Sequence, residues 1–408
     1  MHDYEKLPYI NGQDLTGKTV LVRVDLNTSV QNGKITLSPR LFEHSNTLED
    51  LSDRNAKVVA VSHQGRKDRD DFVSLEQHAE VLEHLTGKHV QFCSWDDDYI
   101  SKIKELKNGN ILVLDNTRFL DYETQELSAE EHAENPKVKE LAKVCDMFVL
   151  DTLSVAHRSH ALVVGLMPLL PSFIGPVLRK ELKALKKIVT ADHGSVLILG
   201  GAKVEESLEA MKKMLTAEKV DLVLLGGIPG ELAIIAKGEN LGKKQHWLQE
   251  KGYIQFVPLL KEFLERYEDR ILIPVDFAVE RNLRRKEISL AELPMHETIY
   301  DIGEVTAQMY ASKLENAKLV IFNGPVGVFE KYQFSYGTRK LLSALADSRA
   351  FSVIGGGDTL TAISSLGFKE REFSHTSLAG KALLDFLAGN KVAALAAIEK
   401  YAPKVEIK

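Results

Sequence analysis

The sequence predicts an α/β protein: two doubly wound Rossmann-like domains with parallel sheets, joined by a long helix and a hinge. Three observations lead there. Apolar runs of strand length alternate with amphipathic stretches, the rhythm of parallel sheets wrapped by helices. The 408 residues are enough for two domains, each with its own core. An uncharged run broken by prolines, Ala161 to Leu178, interrupts the rhythm near mid-chain.

The elements follow in order. In the first half the strand candidates are "TVLVRVD", "KVVAVSH", "NILVLDN" and "MFVLDT". In the second half they are "SVLILGG", "VDLVLLGG", "AKLVIFNG" and "FSVIGGG". Val204–Leu215 and Arg339–Leu345 read as amphipathic helices between them. The Ala161–Leu178 run tempts a membrane assignment, but Pro168, Pro171 and Pro176 break any single helix there, so a buried connection is expected. "VLRKELKALKKIV" reads as the joining helix, which places the domains at 1–172 and 173–389.

Bulk properties remove several function classes. Hydrophobic and charged fractions of 44% and 27% are those of a soluble globular protein. A net charge of −6 argues against a general nucleic-acid surface. Cys93 and Cys145 are the two cysteines, with no CxxC spacing, so neither a disulfide framework nor a thiolate zinc site is expected. The opening "MHDYEKLPYINGQ" lacks the regions of a signal peptide, and a cytoplasmic location without membrane partners is expected.

Open α/β sheets bind ligands at the carboxyl ends of their strands. There the two halves differ. First-half strands run into Asp25 and Asn27, His63 and Arg66, Arg118, and then Asp151, His157, Arg158 and His160. Second-half strands run into Gly200 and Gly201, Gly226 and Gly227, Gly324 and Gly327, and Gly355 to Gly357. One half offers cations, the other bare backbone.

Glycines between a strand and a helix let backbone approach a ligand, and the helix N-terminus then aims free N–H groups at an anion. Gly355–Gly357 is such a corner, with Asp358 beside it able to hold Mg²⁺ against a phosphate or to serve as an ordinary helix N-cap. Lys203, in "LGGAKVEESLEAM", sits at a helix start where the macrodipole disfavours a cation unless an anion faces it. "FNGPVGVFE" adds an apolar loop whose Glu330 suits a ribose. Arg40, Arg66, Arg118 and Arg158 with His63 suit a small anionic substrate, since guanidinium forks match carboxylate and phosphate. A zinc site at His157, His160 and Asp151 would need a rigid geometry that nothing else in the sequence supports. A nucleotide in one domain and a small anion in the other predict a kinase. A carboxylate acceptor needs no catalytic base, so alignment and cations would carry catalysis, and closure of the domains would exclude water.

At these residues the chain resembles the phosphoglycerate kinase family over nearly its whole length, with the motifs in family order. "VRVDLN" resembles RVDxN, "SPRL" the substrate arginine segment, "SHQGR" SHxGR, "DNTRF" ENxRF and "AHRSH" AHRxH. "GPVLRKEL", "GGAKV", "FNGPVGVFE" and "GGGDT" follow. The resemblance implies that Asp25, Asn27, Arg40, His63, Arg66, Arg118 and Arg158 bind 3-phosphoglycerate or 1,3-bisphosphoglycerate. It implies that Arg40 and Lys203 face the transferring phosphoryl group. Gly201, Lys203, Gly227, Asn323, Glu330, Gly356, Gly357, Asp358 and Thr359 would bind ATP or ADP, with Asp358 on Mg²⁺. A monomer is implied, whose tail, about residues 390–408, returns to the first domain.

The sequence departs from the family pattern in four places. Ser207 stands where many members carry a second lysine, as in an archaeal-like member. "LDTLS", Leu150 to Ser154, replaces NDAFG. "SLAGKA", Ser377 to Ala382, replaces STGGGA, and Lys67 replaces a proline. Lys381 is expected to reach the nucleotide phosphates and partly replace the cation missing at Ser207. The expected function is phosphoglycerate kinase activity. The alternatives are a kinase for another small carboxylate, or a silent nucleotide- or metabolite-binding relative.

Overall fold

The structure, a computed structural model, describes residues 6–191, 193–387 and 392–401, the side chain of Lys381 apart. It divides into two compact units, Met1–Lys183 with Lys391–Lys408, and Ala184–Asn390. Each is doubly wound, as the sequence predicts.

The first unit holds β1 (Thr19–Arg23), β2 (Lys57–Val61), β3 (Val90–Cys93), β4 (Ile111–Leu114), β5 (Met147–Leu150) and β6 (Ser172–Ile174). They form one parallel sheet in the order β3-β4-β2-β1-β5-β6. The central strands are apolar almost throughout because helices cover both faces. Val20, Val22, Val58 and Ala60 pack on one face against Leu41 and Leu48 of α1 (Pro39–Asp53). Chain order reverses at β1, which has β2 on one side and β5 on the other, so the loops after these strands gather at a topological switch point.

The helix α2 (Pro176–Val189) carries the chain across the division at Lys183. The second unit holds β7 (Ser195–Leu199), β8 (Leu222–Leu225), β9 (Ile271–Leu272), β10 (Asp276–Arg281), β11 (Arg284–Ser289), β12 (Ile299–Ile302), β13 (Leu319–Asn323), β14 (Phe351–Gly355) and β15 (His375–Thr376). Six of these make a parallel sheet, β9-β8-β7-β13-β14-β15, and three an antiparallel one, β11-β10-β12. The helices that matter below are α3 (Val204–Thr216), α4 (Gly227–Ala236), α5 (Lys243–Glu250), α6 (Tyr336–Asp347), α7 (Gly357–Ser365) and α8 (Lys381–Leu387). The last helix, α9 (Ala393–Tyr401), lies in the first unit, where the Ala394 N–H bonds the Ala156 carbonyl at 2.9 Å.

All eight strand candidates are strands. The expected helices lie within α3 and α6. The sequence reading did not foresee the edge strands β3, β6, β9 and β15 or the antiparallel sheet. The edges are two to four residues long, too short for a periodic signal. The β10–β11 hairpin is rich in charge, and its two-residue turn at Asn282–Leu283 takes positive φ at both positions. The Ala161–Leu178 run is a short helix followed by the buried edge strand β6. Among the described residues no helix is long and apolar enough to cross a membrane.

Candidate functional site

In the first unit, the loops after the strands at the switch point bring most of the predicted polar residues together. Asp25, just past β1, is fully buried. Its carboxylate meets Arg40 Nη1 at 3.2 Å and accepts from Ser154 Oγ at 2.6 Å and from the Asn27 N–H at 3.1 Å. Burial opposes its charge, but Arg40, His63 and Ser154 win and hold it well below the usual carboxylate range. Arg40 lies in the first turn of α1, where a cation gains nothing from the helix dipole, and is fixed by Asp25 and by the Asn27 carbonyl at 3.4 Å. Asn27 Oδ1 accepts from the Gly65 N–H at 2.8 Å. Asn116 binds the Gln64 N–H at 3.1 Å and carbonyl at 2.7 Å, so the loop carrying His63 and Arg66 is held from two sides.

The cations gather here. Arg118 reaches the Gly65 carbonyl through Nη1. Burial first, then the charges of Arg158, Arg23 and Arg66, push its guanidinium down to about 10. Arg158 is lowered by burial and by Arg66 and Arg23, and Nε donates to His157 Nε2 at 3.2 Å. His63 is kept neutral by burial and by Arg118, Arg23 and Arg158, against the pull of Asp25. Guanidinium groups crowded in this way stay charged near neutral pH and form a concentrated positive field, the environment a multiply charged anion would relieve.

Two contributors were not foreseen. Arg23, the last residue of β1, is 1% exposed and bonds Glu123 at 2.9 Å and Thr117 Oγ1 at 3.2 Å. Its signal was a lone cation inside the apolar run "TVLVRVD". Ser154 belongs to the divergent Leu150–Ser154 stretch, and its bond to Asp25 gives that stretch a function. The zinc reading fails: Asp151 Oδ1 accepts from the N–H groups of Val177 and Leu178 at the start of α2, and Oδ2 from Thr47. Its carboxylate caps a helix.

In the second unit the glycine corners come together. The Gly201 N–H bonds the Pro325 carbonyl at 2.7 Å, and the Gly227 N–H bonds that of Val326 at 3.0 Å. Gly324 and Gly356 both take φ of +88°. Thr359 is buried and accepts the Gly324 N–H at 2.8 Å through Oγ1, so its hydroxyl positions backbone. Asn323 Oδ1 lies where a Cβ on Gly356 would meet it at 3.1 Å. The corner after β14 therefore needs glycine for a φ and a closeness that a side chain would spoil. Gly356 is the residue before α7, so Asp358 is inside the helix and not its N-cap. Lys203 occupies the N-cap position of α3, exposed.

These loops wall a cavity of about 270 Å³. Gly201, Gly227, Asp358 and the whole Pro325–Glu330 loop line it, so the expected nucleotide residues Glu330 and Asp358 share one space. Unforeseen are Glu231, Lys244, Trp247 and Asp301 in the same wall. Glu231 was legible as a carboxylate within the apolar "IPGELAII" of α4. Asp301 holds Arg285 at 2.7 Å and the Gly337 N–H, at the start of α6, at 2.9 Å, and burial pushes it up to about 7.

One of the departures can be placed, and a second falls outside the described residues. Ser207 is fully buried in α3, so the position that carries a lysine in many relatives faces the core, and a lysine there would bury a charge. The side chain of Lys381, at the start of α8, lies outside the described residues.

Comparison with known proteins agrees with this fold. The pattern of the family described as phosphoglycerate kinase matches residues 10–390. The chain is 37% identical to the phosphoglycerate kinase of Methanopyrus kandleri, covering 97% of this chain and 98% of that one. It is 38% identical to that of Pyrococcus horikoshii, covering 94% and 95%. The crystal structure of the Pyrococcus horikoshii OT3 enzyme superposes with a TM-score of 0.92 over 97% of this chain and 99% of that one, at 36% identity. The Coxiella burnetii phosphoglycerate kinase structure gives 0.80 over 97% and 100%, at 29% identity.

Proposed function

The chain belongs to the phosphoglycerate kinase family, phosphotransferases with a carboxyl group as acceptor, and from that premise we propose how its residues divide the work. The first unit binds 3-phosphoglycerate or 1,3-bisphosphoglycerate through Arg66, Arg118, Arg158, His63 and Asn27. Asp25 acts by orienting Arg40, whose guanidinium neutralises the moving phosphoryl group together with Lys203. The second unit binds ATP or ADP in the glycine-walled cavity, with Glu330 on the ribose and the free N–H groups of Gly357 and Asp358 on a phosphate. Thr359 and Asn323 shape that corner.

Mg²⁺ suits Asp358: a single exposed carboxylate on the cavity wall fits a cation that takes most of its ligands from nucleotide phosphates and water. Among the described residues no group of three His, Cys, Asp or Glu is arranged to hold a metal alone. The ion would supply charge neutralisation on the nucleotide phosphates. The protein is read as a cytoplasmic monomer.

The observation that carries this reading is the gathering of cations in the first unit, where burial and the charges of Arg66 and Arg23 lower both Arg118 and Arg158, a positive field suited to an anion of more than one charge. A coupled assay with 3-phosphoglycerate and ATP tests it. Turnover indistinguishable from a Lys203→Ala control with ATP and with GTP would sink the activity itself. Arg66 is exposed, so Arg66→Ala should raise the KM for 3-phosphoglycerate tenfold or more, about 1.4 kcal/mol, without moving the melting temperature. An unchanged KM would remove Arg66 from the site.

A further inference from the structure

The cavity that takes the nucleotide is walled mostly by backbone and apolar side chains, yet a buried ion pair sits in that wall. Glu231, in the second turn of α4, is 5% exposed, and Lys244, on α5, is 8% exposed. Their heads meet at 3.2 Å through Glu231 Oε1. Lys244 also donates to the Ile299 carbonyl at 3.4 Å and lies over the Trp247 ring, 4.6 Å from its centroid. Glu231 Oε2 is buried and has no hydrogen-bond partner. A buried acceptor left empty costs about 1–3 kcal/mol, so a structural ion pair is a poor account of this carboxylate. An arriving donor is the better one.

Phosphate cannot be that donor, since it offers only acceptors to a carboxylate and like charge repels. The ribose is matched by Glu330, another wall residue. What remains of a nucleotide is the base, a flat ring that Trp247 and the apolar loop Pro325–Phe329 can flank.

We propose that Glu231 and Lys244 read the edge of the nucleotide base and select guanine over adenine. The inference rests on the second unit's cavity being the nucleotide site. Guanine presents two adjacent N–H donors, its ring N1–H and its 2-amino group, spaced like the two oxygens of a carboxylate. Beside them is the O6 acceptor, which an ammonium can meet. Oε2 is empty, and Oε1 keeps a lone pair after bonding Lys244. Adenine offers one exocyclic N–H on that edge, next to a ring nitrogen whose lone pair faces the carboxylate. Guanine fills both carboxylate oxygens with charge-assisted bonds; adenine leaves one empty. Burial pushes the Glu231 carboxyl up to about 7 in the empty cavity, against the pull of Lys244. Two donors from the base favour its ionised form.

The test compares Mg-GTP, Mg-ITP and Mg-ATP as phosphoryl donors to 3-phosphoglycerate at pH 8, with quenching of Trp247 fluorescence by GDP and ADP as a readout independent of turnover. The expected kcat/KM is at least tenfold higher for GTP than for ATP. ITP, which keeps the N1–H and lacks the 2-amino group, should fall between. Glu231→Gln puts an NH₂ where the base needs an acceptor, and should bring the GTP to ATP ratio near one. The wild-type ratio stands alone if that variant does not fold. Equal or better use of ATP by the wild type overturns the proposal while leaving the kinase reading intact. Absence of turnover and of quenching with all three nucleotides overturns the cavity assignment itself.

Discussion

The two units build ligand sites from opposite materials. In the first, charged side chains project from strand ends into a common field: burial and the charges of Arg66 and Arg23 lower both Arg118 and Arg158, and Asp25 fixes Arg40. In the second, backbone does the equivalent work, at turns where a side chain would collide with its neighbours. The two sites therefore fail in opposite ways. The first should be broken by removing side chains, the second by adding them.

The sharpest break is Gly324→Ala. A Cβ there would meet the Gly200 carbonyl oxygen at 2.3 Å and its carbon at 2.5 Å, on a backbone with φ of +88°. Neither neighbour is a flexible side-chain end, so the strands β7 and β13 must part where they carry the cavity wall. The expected loss is about 4 kcal/mol or more, as for other changes that combine strain with displaced backbone. Gly357→Ala is the control: nothing lies within 4 Å of a Cβ and its φ is ordinary. It should fold normally, and alanine suits a helix better than glycine by up to about 1 kcal/mol. Denaturant melts of the two variants check the pair, and equal loss in both would void the argument from close approach.

Next in size is the side-chain break in the first unit. Arg23→Met removes one partner of a pair whose side chains are each 1% exposed and leaves Glu123 charged and buried. Such a change costs about 3–5 kcal/mol. Glu123 also accepts the Leu162 N–H at 2.8 Å, so the loss reaches the start of the Ala161–Val164 helix. The double variant Arg23→Met with Glu123→Gln should recover part of the stability, because the buried charge is gone. No recovery in a thermal melt would mean that the pair acts through packing alone.

How much of this was legible in the sequence follows from the same contrast. The eight inner strands could be read because burial on both faces makes them continuous apolar runs. The clustered arginines could be read because a cation at a strand end has few structural reasons to be there. What could not be read depends on partners distant in sequence. Arg23 looked like a strand residue because Glu123, one hundred positions away, decides its state. Ser207 looked like a lost ligand because only the packing of α3 shows that it faces inward. Glu231 stood out as a carboxylate in an apolar run, but its partner could not be read, because only the placement of α5 brings Lys244 beside it. The edge strands β9 and β15, two residues each, exist because β8 and β14 offer them hydrogen bonds, and no local pattern encodes that.

A further contrast between the units concerns acid. In the first unit, burial lowers His78 to about 4 and His160 to about 3, and keeps His63 neutral. Unfolded histidines bind protons below about 6.5, while these resist until pH 3–4. Over that window the unfolded state binds more protons, so the first unit loses stability as pH falls. In the second unit burial raises Glu231 and Asp301 to about 7, so between their unfolded values near 4 and pH 7 the folded state binds more protons. Stability there rises as pH falls. Moving from pH 7.5 to pH 5 should therefore weaken the first unit against the second. The chain has two tryptophans, Trp95 in the first unit and Trp247 in the second, so each can report alone. In Trp247→Phe, urea unfolding followed at Trp95 should shift to lower denaturant at pH 5. In Trp95→Phe, the transition followed at Trp247 should hold or move up. Equal downward shifts at both probes would show that the buried carboxyl groups of the second unit stay ionised, Asp301 by Arg285 and Glu231 by Lys244, and that the two units answer acid alike.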